Sequence, residues 1–146
     1  MHSPKSIDEL LSPYLVNMNC SLHLEKLIIK KVYRLRNFRK THAAFVGAEF
    51  QQYYGWSANK SHLQEKVLKK ILDPRLCQTL QSLGRLGYKR EGNYLGNCAE
   101  VHAGNKVLQQ TNKIAINQLR FSNAYRCRTL QIIPYCDNCL DTFNLK

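Results

Sequence analysis

Over residues 6–18 the apolar positions Ile7, Leu10, Leu11, Tyr14, Leu15 and Met18 recur at intervals of three and four, the period of an amphipathic helix. Pro13 is expected to kink or split it. Ser21 is placed to cap a second helix, in which Leu24, Leu27, Ile28, Val32 and Leu35 share one face while Lys26, Lys30 and Arg34 run along another at i, i+4. Residues 43–56 are rich in aromatics, carry Gly47 and Gly55, and show no helical period, which predicts a strand or an extended loop. From 61 to 83, Leu63, Val67, Leu68, Ile71 and Leu72 predict a helix, Asp73-Pro74 a turn, and the remainder a shorter helix stopped by Gly84 and Gly87. The stretch GYKREGNYLG (87–96) predicts a hairpin or irregular loop, 98–110 a helix, 129–133 a short strand ended by Pro134, and 136–143 a final helix. There is no internal repeat and no linker between two domains.

A chain of 146 residues, 44% hydrophobic and 22% charged, has an ordinary globular composition and is long enough for one core. It divides into a helical N-terminal part, 1–90, and a part rich in candidate chemistry, 91–146. No window of eighteen successive apolar residues is present and the start, MHSPKSIDEL, lacks the apolar stretch of a signal peptide. The expectation is a soluble, cytoplasmic chain with no membrane span. The 22 Lys and Arg against 10 Asp and Glu leave a net charge of +12, a field that favours polyanions, either nucleic acid or acidic membrane headgroups. Lys26, Lys30, Lys31, Arg34, Arg36, Arg39 and Lys40 fall close together with no acid among them. They form either a solvated helix face or a nucleic-acid contact. Six cysteines could pair in three disulfides, but with a full-sized core and no signal segment, metal binding or reduced thiols is the stronger expectation.

Two local patterns carry the chemistry: Cys98-Ala99-Glu100, and Pro134-Tyr135-Cys136-Asp137-Asn138-Cys139. Thiolates three apart at a helix start lie on one side and reach a single ion. Cys98 would add a third thiolate and leave one position open, the arrangement of a catalytic zinc. Glu100, near the start of its helix, could flank the open position without ligating. The alternative is a closed four-cysteine site completed by Cys127, which would make the chain a zinc-stabilised binding module; the strand-like RCRTLQII around Cys127 favours a buried core thiol instead. Cys20 and Cys77 read as packing residues and His102 as a structural histidine. Trp56, Tyr53 and Tyr54 could stack on a base or fill a core. Asn93 and Asn97, in the loop before the helix, could present amides to a nucleoside edge.

These residues resemble a known family. The cytidine-deaminase-like superfamily carries a [His/Cys]-x-Glu signature on one helix and Pro-Cys-x-x-Cys at the start of a later one, with a strand between. GNCAEVHAGNKVL followed by PYCDNCLDTF looks, more narrowly, like the deaminase domains at the C-terminal ends of bacterial polymorphic toxins of the YwqJ-related group. The resemblance spans about residues 93–143. It implies an α/β fold, a cytidine-deaminase-like three-layer sandwich with a short mixed sheet and a helical N-terminal segment. It also implies zinc (Zn2+) held by Cys98, Cys136 and Cys139, proton transfer by Glu100, and hydrolytic deamination of a nucleobase, cytosine foremost, in a nucleotide or nucleic acid. A secreted toxin effector met by an immunity protein is the corresponding biological expectation. A non-catalytic zinc module that binds nucleic acid, or an inactive chain of the same fold, are the competing ones. Two features differ from the family pattern: Tyr135 separates Pro134 from Cys136, and only seven residues (146 − 139) follow Cys139. The sheet must therefore be short, or its edge must be completed by the N-terminal ninety residues or a partner chain.

Overall fold

The computed structural model describes residues 19–37 and 44–145; the helix expected over 6–18 lies outside them. The described chain is mixed α/β. Its elements in order are α1 (Leu22–Leu35), β1 (Ala44–Phe50), β2 (Tyr53–Ala58), α2 (Glu65–Ile71), α3 (Pro74–Leu83), β3 (Lys89–Arg90), β4 (Asn93–Tyr94), α4 (Ala99–Leu108), a 3-10 turn (Ile116–Gln118), β5 (Arg120–Phe121), β6 (Ala124–Arg126), β7 (Ile132–Ile133) and α5 (Asp137–Phe143). The main sheet runs β2-β1-β6-β7, with β5 also on β1, and β3 and β4 form a separate hairpin. A mixed sheet was expected, but every pairing among the described residues is antiparallel. Because β2 and β6 both run against β1, they are parallel to each other, and α4 is the crossover between them.

The sheet is covered on both faces, and its side chains sort by parity. Phe45 of β1 and Trp56 of β2 pack toward α1, in a core with Leu24, Ile28, Ile29, Val32, Tyr125 and Cys127. Val46 and Ala48 point the other way, into a larger core with Leu68, Leu76, Val101, Val107, Phe121 and Phe143. Two-sided burial erases the alternation that marks a half-exposed strand, which is why 43–56 carries no clear pattern. Gly47 and Gly55 lie inside these strands. A Cβ on Gly47 would stand 2.5 Å from Ile28 Cδ1, and one on Gly55 would stand 2.6 Å from the Ala103 carbonyl of α4. Each absent side chain lets one helix approach the sheet.

β5 and β6 are one strand interrupted by a bulge. Ala48 pairs with Phe121 but Phe45 pairs with Tyr125, so one extra residue is inserted in the strand facing β1. The bulge is tied down by Ser122, whose N–H donates to Gly47 O while its hydroxyl accepts from Gly47 N–H. The stretch RCRTLQII is not one strand either. Its middle turns through Leu130 at φ 61°, and Ile132–Ile133 folds back on Ala124 and Tyr125.

α1 is capped as expected, Ser21 Oγ accepting from Leu24 N–H at 3.1 Å. Its buried set, however, is Leu24, Glu25, Ile28, Ile29 and Val32, so Glu25 and Ile29 face inward and Leu27 does not. Glu25 accepts from the Tyr125 hydroxyl and from Asn123 Nδ2 at 2.7 Å, and so pins α1 to the bulge. The helix that follows Asp73-Pro74 has ten residues and is the longer of its pair, not the shorter. Arg75, paired with Asp73, donates to the carbonyls of Leu108, Thr111 and Ile114, satisfying the chain where α4 ends and its carbonyls lose helical partners.

Candidate metal centre

Two helix starts meet. Cys98 is the N-cap of α4 and Cys136 the N-cap of α5, both with extended backbone, and Cys139 follows in the first turn of α5. Their three sulfur atoms lie within 4.8 Å of one another, with Cys98 and Cys136 at 2.9 Å. Cys139 is buried; Cys98 and Cys136 are partly exposed. A shared zinc about 2.3 Å from each sulfur would set them about 3.8 Å apart in tetrahedral geometry. The closest contact therefore widens by under about one ångström on loading, a side-chain adjustment. Soft thiolates are the donor chemistry zinc takes, and the three cysteines could hold a metal ion.

The protons in this cluster are shared. S–H donation from Cys139 and Cys98, and the backbone amides of Cys139 and Asn138, hold Cys136 well below the usual thiol range. The other two thiols are pushed up by Cys136 and by burial. Glu100 is 5% exposed and accepts from Cys139 Sγ at 3.4 Å. Loss of hydration pushes its carboxyl up to about 7. A carboxyl thus stands beside the sulfur cluster, and it holds a proton far more readily than a surface glutamate does.

Supports around the cluster were not visible in the sequence. Asn138, inside the Cys-x-x-Cys, donates to Asn93 O at 3.1 Å and accepts from Arg90 at 3.1 Å, while Arg90 also pairs with Asp141 at 2.9 Å. The β3–β4 hairpin is thereby locked to α5. Tyr135, the residue that separates Pro134 from Cys136, sends its hydroxyl to Ser122 O at 2.6 Å. The additional residue is a tether from the start of α5 to the bulge. The two-residue gap of Asn138 and the aromatic at 135 were the only signals available, and neither is specific.

The remaining candidates separate cleanly. Cys127 is packed against α1, on the sheet face opposite Cys139, and is not among the three clustered sulfurs. His102 is buried and its Nε2–H donates to Gly96 O at 2.9 Å; burial and the charge of Lys60 bring it down to about 4, so it is neutral and positions the loop before Cys98. Asn97 is 7% exposed, and neither its Nδ2 nor its Oδ1 has a hydrogen-bond partner among the described residues. Asn93 is exposed on β4, and its backbone carbonyl, not its amide, engages Asn138. Tyr53 packs in the α4-side core, whereas Tyr54 and Trp56 pack toward α1. Among the described residues no helix is long and apolar enough to cross a membrane. Comparison of the chain with family models, with curated proteins and with solved structures gave no match.

Proposed function

We propose that this chain is a zinc-dependent hydrolase that deaminates a nucleobase, cytosine foremost, in a nucleotide or nucleic acid. The observation that carries the reading is the buried Glu100 carboxyl standing against the three-cysteine cluster, 3.4 Å from Cys139 Sγ. A structural zinc site needs no such group. Cys127, which would have closed the site, packs on the other face of the sheet, and this favours an enzyme over a four-cysteine binding module. Cys98, Cys136 and Cys139 would hold the metal. Zinc, when bound, supplies a Lewis acid that lowers the pKa of water toward neutrality.

Glu100 then serves as the proton carrier. It takes a proton from water and delivers it to the ring nitrogen beside the amino-bearing carbon, then takes the remaining proton of the added hydroxyl and delivers it to the departing amino group as the carbonyl forms. Water adds its oxygen to that carbon, the C–N bond breaks and ammonia leaves, so one water is consumed per ammonia released. Burial of Glu100 suits this work, since a carboxyl with a pKa near neutrality both accepts and gives up a proton. Asn97, whose buried side-chain amide has no hydrogen-bond partner among the described residues, is the candidate for contact with the base edge.

The test is Glu100→Gln. The near-isosteric amide leaves zinc content and fold intact, and ammonia release or cytosine-to-uracil conversion falls by about 10² to 10⁴-fold. Turnover undiminished in this variant would overturn the assignment. The toxin-effector reading, with an immunity protein as partner, is tested in the same pair: expression of the wild type arrests growth and that of Glu100→Gln does not.

A further inference from the structure

A pocket of about 550 Å³ lies along the edge strand β2, and it is lined by four cations drawn from different elements: Lys31 and Arg34 of α1, Lys60 just beyond β2, and Lys106 of α4. No acidic residue is among its described lining residues, and no ion pair among the described residues neutralises any of the four. Trp56 forms one wall. The Lys31 ammonium sits 4.1 Å from the Trp56 ring centroid, and Lys106 Nζ donates to Trp56 O at 2.7 Å. The cations also feel one another. Burial lowers both Lys106 and His102, and the charge of Lys60 lowers them further. Like charges gathered in a concavity with no counter-charge are stabilised when an anion enters.

This pocket does not stand apart from the cluster of thiols. Lys60 N–H donates to Asn97 O at 3.2 Å, and Asn97 immediately precedes Cys98. A row of cations therefore lies along the sheet edge from α1 to Lys60, whose backbone is joined to the loop that carries the first thiol; the buried side-chain amide of Asn97 in that loop has no hydrogen-bond partner among the described residues.

We infer that the groove formed by Lys31, Arg34, Lys60 and Lys106 beside Trp56 binds the phosphodiester backbone of single-stranded nucleic acid and leads it to the metal centre. The inference rests on the deaminase reading for what happens at the metal centre, but not for the binding itself. Four cations spread over two helices and the loop after β2 match successive phosphates better than one phosphate of a mononucleotide. Strands, unlike duplexes, can deliver a base edge into a narrow site.

Trp56 is the only tryptophan in the chain, so its emission reports directly on this groove. Zinc-loaded protein is titrated with single-stranded DNA and RNA 12-mers at several salt concentrations, with cytidine monophosphate and polyglutamate as parallel arms. The expected result is a saturable change in emission with either 12-mer, with an affinity that falls with salt. Lys31→Gln/Arg34→Gln should bind at least tenfold more weakly, and the salt slope should decrease by about 0.7 for each cation removed. Lys60→Gln, alone, should show the same decrease for one cation. Equal binding by wild type and the double variant would overturn the inference. So would capture of the mononucleotide in preference to the strand, or equal competition by polyglutamate, which would make the groove a site for a free nucleotide or an acidic protein. The Glu100→Gln variant separates the two readings. If it binds the strand as the wild type does while neither protein deaminates it, the groove stands and the deaminase assignment falls.

Discussion

Single residues set the conditions under which the site holds together. His102 is neutral in the fold, with its pKa lowered to about 4 against an ordinary value of 6.5. A depressed histidine binds its proton more readily in the unfolded chain, so its contribution is complete above about pH 6.5 and is lost as pH falls from there toward about 4. Metal-free protein should therefore lose about 3 kcal/mol of stability over that interval from this residue. The expected observation is a falling denaturant midpoint between pH 7.5 and 4.5, and a smaller fall in His102→Gln, which keeps a donor for Gly96 O but does not titrate. The thiols were legible in the sequence because their spacing is dictated by coordination chemistry: ligands must stand at helix starts and at i, i+3 whatever the surrounding fold. His102 was legible only as structural, and its partner, a loop carbonyl, has no side-chain signature. Glu25 was illegible for a sharper reason. An acid beside Lys26 and Leu24 on an amphipathic helix reads as solvated, and its acceptors' partners, Asn123 and Tyr125, lie a hundred residues away.

Between elements, energy is concentrated where helices touch the sheet. Gly55→Ala puts a methyl 2.6 Å from the Ala103 carbonyl and 2.8 Å from Lys106 Cβ, and backbone cannot yield as a side-chain tip can. The expected cost is about 1–3 kcal/mol, read as a lower midpoint in chemical denaturation. It should exceed the effect of Tyr135→Phe, which removes one hydroxyl bond to Ser122 O for about 1 kcal/mol. Helices were easier to read from sequence than strands here. The 3.6-residue period of α1 survives its burial on one face, whereas β1 and β2 are buried on both and keep no period. The break at Asp73-Pro74 was visible because Asp73 caps α3 through Arg75 N–H at 2.9 Å and Pro occupies the first turn, and both preferences are local. The extent of the two flanking helices was not, since it depends on Asn105 of α4, which accepts from Asp73 N–H and donates to Ile71 O.

For the whole molecule, an ion held by the three cysteines of α4 and α5 would join the crossover helix to the C-terminal one and so would couple metal to fold. Purified protein should carry about one zinc, and chelation should lower Tm; Cys136→Ala should abolish the stoichiometric zinc and make Tm insensitive to chelator. Cys127→Ser should keep the zinc, because that thiol lies across the sheet from the cluster. Loss of metal in Cys127→Ser would contradict the placement of the two cores. The separation of those cores depends on a count. From Phe121 to Tyr125 there are three intervening residues where the opposing strand, between Phe45 and Ala48, has two. Four steps along a regular strand return a side chain to the face it left, yet Phe121 packs toward α4 and Tyr125 toward α1. The inserted residue does not count in that alternation. Excision of Asn123 would leave three steps from Phe121 to Tyr125, matching the three from Ala48 to Phe45, so Tyr125 and Cys127 would stay on the α1 side. Straightening the strand with Asn123 still in place would instead turn both toward α4. The bulge thus stores one residue as slack outside the ladder, and the chain beyond it keeps the facing of an uninterrupted strand, with the Cys127 thiol on one side of the sheet and the three clustered sulfurs on the other.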